Sequence, residues 1–149
     1  MLGDFAVLVA VIALVGATAP RWPDRWLDVG AWHVPFLPWE TSTFYRRIGV
    51  AWLSRHMPEA GTLFGGESKS ALPGHTVQDL HEYYIEVSRA EWVHLGSILG
   101  ACVLFLFNPW WLALGWVGFA IVANAPFLAI LRHNRLRLQA ILERMGTSA

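Results

Sequence analysis

The chain has a single cysteine, Cys102, so no disulfide can form within it and a stapled secreted module is excluded. Charge is equally scarce: 11 Lys and Arg stand against 11 Asp and Glu in 149 residues, for a formal net charge of zero. A nucleic-acid protein would show a basic excess, and a disordered chain would carry more charge and fewer aromatics. The local absences say more. Residues 1–20 contain no Lys or Arg, and residues 110–131 contain no charged residue of either sign. What fills the chain instead is apolar: 55% of residues are hydrophobic, mean hydropathy is +0.41, and nine are tryptophan. Length allows one domain. This composition makes it a membrane domain.

Three stretches approach the 20 or so apolar residues that cross a bilayer. They are residues 2–19, 90–107 and 110–131, the second counting a helical lead-in through Ala90 and Glu91. Asn108-Pro109 is a turn signal, so the last two spans form a tight helical hairpin. Ala17-Thr18-Ala19 resembles a signal-peptidase site, but the segment before it lacks the positive charge of a signal peptide. The first span therefore reads as retained. All basic residues lie either between the first and second spans or after the third. The positive-inside rule then predicts the N-terminus outside and the C-terminus in the cytoplasm. The expected fold is all-α and integral to a bacterial cell membrane.

Residues 20–89 form the expected cytoplasmic interfacial segment, and residues 132–149 the tail. Prolines break up the first part, and Trp22, Trp26, Trp32 and Trp39 place it at headgroup level as an aromatic belt. Thr41-Ser42-Thr43 offers N-caps for an amphipathic helix to about His56, with Phe44, Ile48, Ala51 and Trp52 on its apolar stripe. Arg46 and Arg47 flank that stripe, as headgroup anchors or as phosphate ligands. The glycine-rich run 61–66 reads as a loop; it lacks the Gly-Lys-Ser/Thr of a phosphate loop, so no nucleotide site is assigned. Thr76 and Asp79 form a capping box that starts a helix leading into the second span.

Ionisable side chains at membrane depth are costly and are candidate functional groups. Glu91 and His94 are three apart and share a helix face. His94 lies about 5 Å inside the boundary, and Asn124 roughly 10 Å inside it on the third helix. In an antiparallel hairpin both can face one cavity, toward which Pro126 can kink the helix. Just outside stands the donor cluster Arg132-His133-Asn134-Arg135-Leu136-Arg137. The competing structural reading makes Glu91 and Arg89 interfacial anchors, with His94 and Asn124 serving helix contacts. His81-Glu82 does not continue into a zinc-protease motif, and Cys102 has no base nearby in sequence.

The runs Glu86-Val87-Ser88-Arg89-Ala90-Glu91-Trp92-Val93-His94, Phe107-Asn108, Ala123-Asn124-Ala125-Pro126 and Arg132-His133-Asn134-Arg135-Leu136-Arg137-Leu138 occur in order. Together they resemble the glycosyl-diaponeurosporenoate acyltransferase family, most closely from Glu86 to about Leu142. The resemblance implies transfer of a fatty acyl chain to the sugar of a glycosylated carotenoid, as in staphyloxanthin-type pathways. His133 and Leu136 stand where that family has Tyr and Pro. Losing the Pro leaves the third helix free to continue past the membrane boundary.

The expected activity is thus a membrane acyltransferase without a cofactor, moving an acyl group from acyl-CoA or another thioester donor to a lipid-linked sugar. His94 is the expected general base, Glu91 its orienting partner, and Asn124 a donor to the oxyanion. Arg132, Asn134 and Arg135, with Arg89, Arg46 and Arg47, are the expected ligands of the donor's phosphates. Two other readings remain: a small non-enzymatic membrane subunit binding a partner helix or anionic lipid, and a metal-dependent hydrolase using Glu91, His94 and His133.

Overall fold

The computed structural model describes residues 2–29, 31–57 and 76–146. The glycine-rich run 61–66, with Lys69 and His75, lies outside the described residues. Among the described residues the fold has five α-helices: α1 (Leu2–Thr18), α2 (Ser42–Arg47), α3 (Val50–His56), α4 (Val77–Ala101) and α5 (Trp110–Gly146). Among the described residues there is no strand.

Three helical segments, Leu2–Arg21, Val77–Leu106 and Trp110–Gly146, are long and apolar enough to cross a membrane. Their large side chains point outward, with Leu14, Leu99, Phe119 and Val122 all more than half exposed. In water such a surface would aggregate; in a bilayer it is the lipid face. The second span starts earlier than the apolar residues alone suggest. α4 is a single helix from the Thr76–Asp79 capping box, whose two reciprocal backbone bonds are both 3.1 Å. It tightens into a 3-10 turn over Cys102–Leu106 before the Asn108-Pro109 turn. α5 continues unbroken through Pro126 to Gly146. Its 37 residues make about 55 Å, well over the ~30 Å hydrocarbon core, so its last turns project beyond the membrane.

The α4–α5 hairpin is the body of the molecule, and α1 packs against α4, with Leu8 in one core cluster with Ala101, Leu104, Ala113 and Ala120. Close approach of α1 depends on Gly100, where a Cβ would stand 2.2 Å from Val11 Cγ1. At one end, Asn108 Nδ2 donates to Asp4 Oδ1 at 2.9 Å, pinning the start of α1 to the hairpin turn. The N-terminus and that turn therefore share one side, opposite the basic segments.

The helix expected from residue 41 to 56 is two helices. Gly49 takes a left-handed conformation, φ +76°, that other residues resist, and the chain turns there between α2 and α3. Thr41 caps α2 as anticipated, accepting from Phe44 N at 3.1 Å. The turn folds Tyr45 and Val50 inward against Ile130 of α5, so this segment is docked on the hairpin. An amphipathic helix lying freely in the headgroups would leave Tyr45 wet.

Candidate active site

Two polar clusters sit between α4 and α5. The larger is built around Glu91, which is 3% exposed. Arg132 and Arg135 are three residues apart on α5, so both reach it from one helix face. Arg132 Nη1 donates to Glu91 Oε1 at 2.7 Å, Arg135 Nε to Oε2 at 2.6 Å, and Arg135 Nη2 to Oε1 at 3.3 Å.

A second carboxylate closes the cluster from outside the hairpin. Glu40 receives Arg132 Nε and Nη2, both at 2.6 Å, as a two-pronged pair. Glu40 also accepts from Leu37 N at 2.7 Å and from the Tyr45 hydroxyl at 2.5 Å. Arg132 completes its set on the carbonyls of Pro35 (2.9 Å) and Val34 (3.4 Å), and Arg135 Nη2 reaches Val34 O at 2.9 Å. Phe36 lies over both guanidinium groups, 5.1 and 4.3 Å from ring centre to carbon.

The result is a neutral quartet of two cations and two anions, which is the condition for tolerating buried charge. Burial alone would raise the Glu40 pKa; the bonds from Arg132, Leu37 N and Tyr45 outweigh it and bring it down to about 2. Burial, and then the bond to Glu40, pushes the Tyr45 phenol upward. All five N–H groups of Arg132 are engaged within the protein, which leaves none for a substrate phosphate.

The smaller cluster is His94 with Asn124. His94 Nδ1 is 2.6 Å from Asn124 Oδ1, and Asn124 Nδ2 donates to Ala120 O at 2.8 Å. A carbonyl can only accept, so the amide orientation is fixed and its oxygen faces the imidazole. Nδ1 therefore carries the proton in the neutral ring, and Nε2 holds the lone pair. Phe127 stacks on the half-buried ring with centroids 4.9 Å apart.

The hydrogen bonds of Glu91 go to the two arginines, and the bond that orients the imidazole through Nδ1 comes from Asn124. Asn124 also spends its oxygen on His94 and one amide N–H on Ala120, so its main engagement is positional rather than toward an oxyanion.

The remaining candidates disperse. Arg89 pairs with Asp24 at 2.6 Å and with Glu86 one turn back on α4, tying the segment after α1 to that helix. His81 does the same through Asp28, at 2.7 Å, and this bond holds the Asp28 carboxyl below the usual range. Arg46 and Arg47 are exposed on α2. Asn134 is half-buried and has no side-chain hydrogen bond among the described residues. His133 turns toward the Tyr45 ring at 5.2 Å, with Nδ1 buried and unpartnered. Among the described residues, Glu91, His94 and His133 do not converge as metal ligands, nor does any other group of three.

Sequence reading missed Glu40 and Tyr45 altogether. The available signal was a lone carboxylate in the apolar run Val34-Pro35-Phe36-Leu37-Pro38-Trp39-Glu40, where a charge needs a partner.

No curated protein and no solved structure matches the chain. A protein-family model does, over residues 23–144, a stretch that contains both clusters and the segment folded across them. The chain therefore belongs to the glycosyl-4,4'-diaponeurosporenoate acyltransferase family.

Proposed function

We propose that the protein transfers a fatty acyl group from a thioester donor, such as acyl-CoA, to a sugar hydroxyl of a glycosylated carotenoid or related glycolipid. The reaction takes place at the cytoplasmic face of a bacterial cell membrane, with the C-terminus inside. The observation that carries the reading is the His94–Asn124 pair, an imidazole oriented through Nδ1 by the Asn124 carbonyl oxygen.

In this scheme His94 Nε2 takes the proton of the sugar hydroxyl as that oxygen attacks the thioester carbonyl. The carbon–sulfur bond then breaks, and the thiolate leaves with the proton returned by the imidazolium. Asn124 is a positioning residue, since it touches the base and not the substrate. Glu91, Arg132 and Arg135 hold α4 and α5 in register around the pair. Of the cations expected to hold the donor, Arg46 and Arg47 are exposed on α2 and would meet its phosphates. The closed Arg132 quartet favours a structural role for that cluster, as in a non-enzymatic subunit; in the present scheme the chemistry falls to the His94–Asn124 pair beside it, which a purely structural reading would make a helix contact.

The test is acyl transfer per folded molecule in nanodiscs. A positioned general base contributes about 10²–10⁴-fold, so His94→Gln should lose at least a hundredfold in kcat while melting close to the parent. Asn124→Leu should lower kcat with little change in KM. Near-normal turnover in well-folded His94→Gln would remove the residue from the mechanism.

A further inference from the structure

The last turns of α5 carry a basic stripe on a face turned away from α4. Arg137, Ala140, Ile141 and Arg144 follow one another at helical spacing, and all four are exposed. Leu131 and Leu138, on another face of the helix, pack against Leu80 and Tyr84 of α4. Between the stripe and the start of α2 lies a groove of about 440 Å³, with Thr41 and Ser42 on its far wall. Arg46 is one turn on from Ser42 and shares its face. Glu40 borders the groove too, but its carboxylate is spent on Arg132 and Tyr45. Glu143 lies on the adjoining stripe of α5, where Gln139 donates to it at 3.0 Å. The groove is thus basic along its rim. α4 carries a stripe of the opposite sign. Asp79, Glu82 and Glu86 fall on one face, across the helix from the buried Tyr84. Glu82 is exposed and accepts from the neutral Gln78 amide at 3.0 Å. Arg89 serves two carboxylates, Asp24 and Glu86, so that group keeps a net negative charge.

We infer that the α5 groove docks the acidic α4 stripe of a second copy of this chain, side by side in one membrane. The signs are opposite, which steers the two surfaces together and fixes their register. The spacings match: Arg137 and Arg144 are seven residues apart, about 10 Å, and so are Asp79 and Glu86. The depths match as well. Arg137 and Arg144 stand about 9 and 20 Å past Leu131, the end of the apolar run in α5. Glu86 and Asp79 stand about 6 and 16 Å before Ala90, where the apolar part of α4 begins. All copies span one bilayer in one orientation, so the two stripes meet without vertical offset. A soluble partner has no such constraint. Anionic headgroups are the other acid at hand, but their layer is roughly 5–7 Å thick, and Arg144 lies well past it. The two stripes sit on different helices and face away from the hairpin interface. The contact is therefore head-to-tail, joining copies in rows or rings rather than closed pairs. Nothing in it depends on the acyl-transfer reading.

The experiment measures energy transfer between copies of the full-length protein in phosphatidylcholine liposomes at a series of protein densities. Donor and acceptor dyes go on Cys102, which is exposed and lies at the other end of α4 from the stripe. Transfer that rises saturably with density and weakens at high salt is expected. Reversing the groove with Arg137→Glu and Arg144→Glu should weaken association about tenfold or more, because like charges then face each other. Reversing the stripe with Glu82→Lys and Glu86→Lys should do the same. Mixing the two variants gives each altered surface its complement, so transfer between them should return to near the parent level. Should either pair melt well below the parent, Arg137→Gln with Arg144→Gln carries the same test with a smaller loss. Monomers at every density, association untouched by the groove variants, or no recovery on mixing of well-folded variants overturns the inference. Binding to phosphatidylglycerol in place of self-association, lost in the groove variants, overturns it in favour of headgroups.

Discussion

Glu91→Gln should damage the fold far more than the chemistry. The carboxylate accepts three bonds from two guanidinium groups and is 3% exposed. Glutamine keeps the shape but cancels the charge, so the quartet goes from neutral to one excess positive charge in a dry site. Its amide NH2 must also face an arginine, donor against donor. Losing one neutral hydrogen bond in a membrane protein costs only about 0.6 kcal/mol. Stranding a buried charge costs about 3–5 kcal/mol, and that larger figure governs here. The variant should therefore show a much lower melting temperature and poor recovery, yet turn over near the parent rate per folded molecule. Glu91→Gln with Arg135→Met removes one charge of each sign and should recover part of the loss, because the pair is coupled. A stable Glu91→Gln with a hundredfold loss of kcat would refute this reasoning and return Glu91 to the reacting centre.

Acid should release the Glu40 contacts. With the pKa lowered from 4.5 to about 2, the stabilisation, on the order of 3 kcal/mol, is complete above pH 4.5 and lost as pH falls toward 2. The hydrogen-exchange protection of residues 34–47 in nanodiscs, taken relative to the intrinsic rate at each pH, should fall across that window and stay constant from pH 5 to 7. Gly100→Ala should loosen α1, since its Cβ would meet Val11 Cγ1 at 2.2 Å; a cost of about 1–3 kcal/mol in thermal unfolding is expected, eased by adding Val11→Ala. A reporter fused after Ala149 should be cytoplasmic and one before Met1 external; both on one side would mean one span is not a span.

The membrane fold was legible because its signals are local. Three apolar runs, the Asn108-Pro109 turn and the Thr76–Asp79 box each depend on neighbours within a few residues. Gly49 is the point where local reading failed. The stripe of Phe44, Ile48, Ala51 and Trp52 fits one helix, but burying Tyr45 and Val50 together against Ile130 requires a turn, and the glycine supplies it. Tertiary packing overrode the period.

The site was half legible for a related reason. Sequence pattern picked out Glu91, His94, Asn124, Arg132 and Arg135, and the hairpin does bring them to one interface. It could not say who pairs with whom. Glu91 and His94 are close in sequence, so pairing them is natural; in the structure a carboxylate between two arginines and a histidine beside a neutral amide are separate objects. The deciding residue is Glu40, 92 positions from Arg132. By taking two donors of Arg132 and leaving the rest to carbonyls and Glu91, it neutralises a cluster that otherwise looks like a phosphate site. Charge balance thus explains how the arginines can be buried without a bound anion, and it separates them from the His94–Asn124 pair beside them. A neutral amide partner orients an imidazole through a hydrogen bond without adding the charge by which a carboxylate raises the histidine pKa.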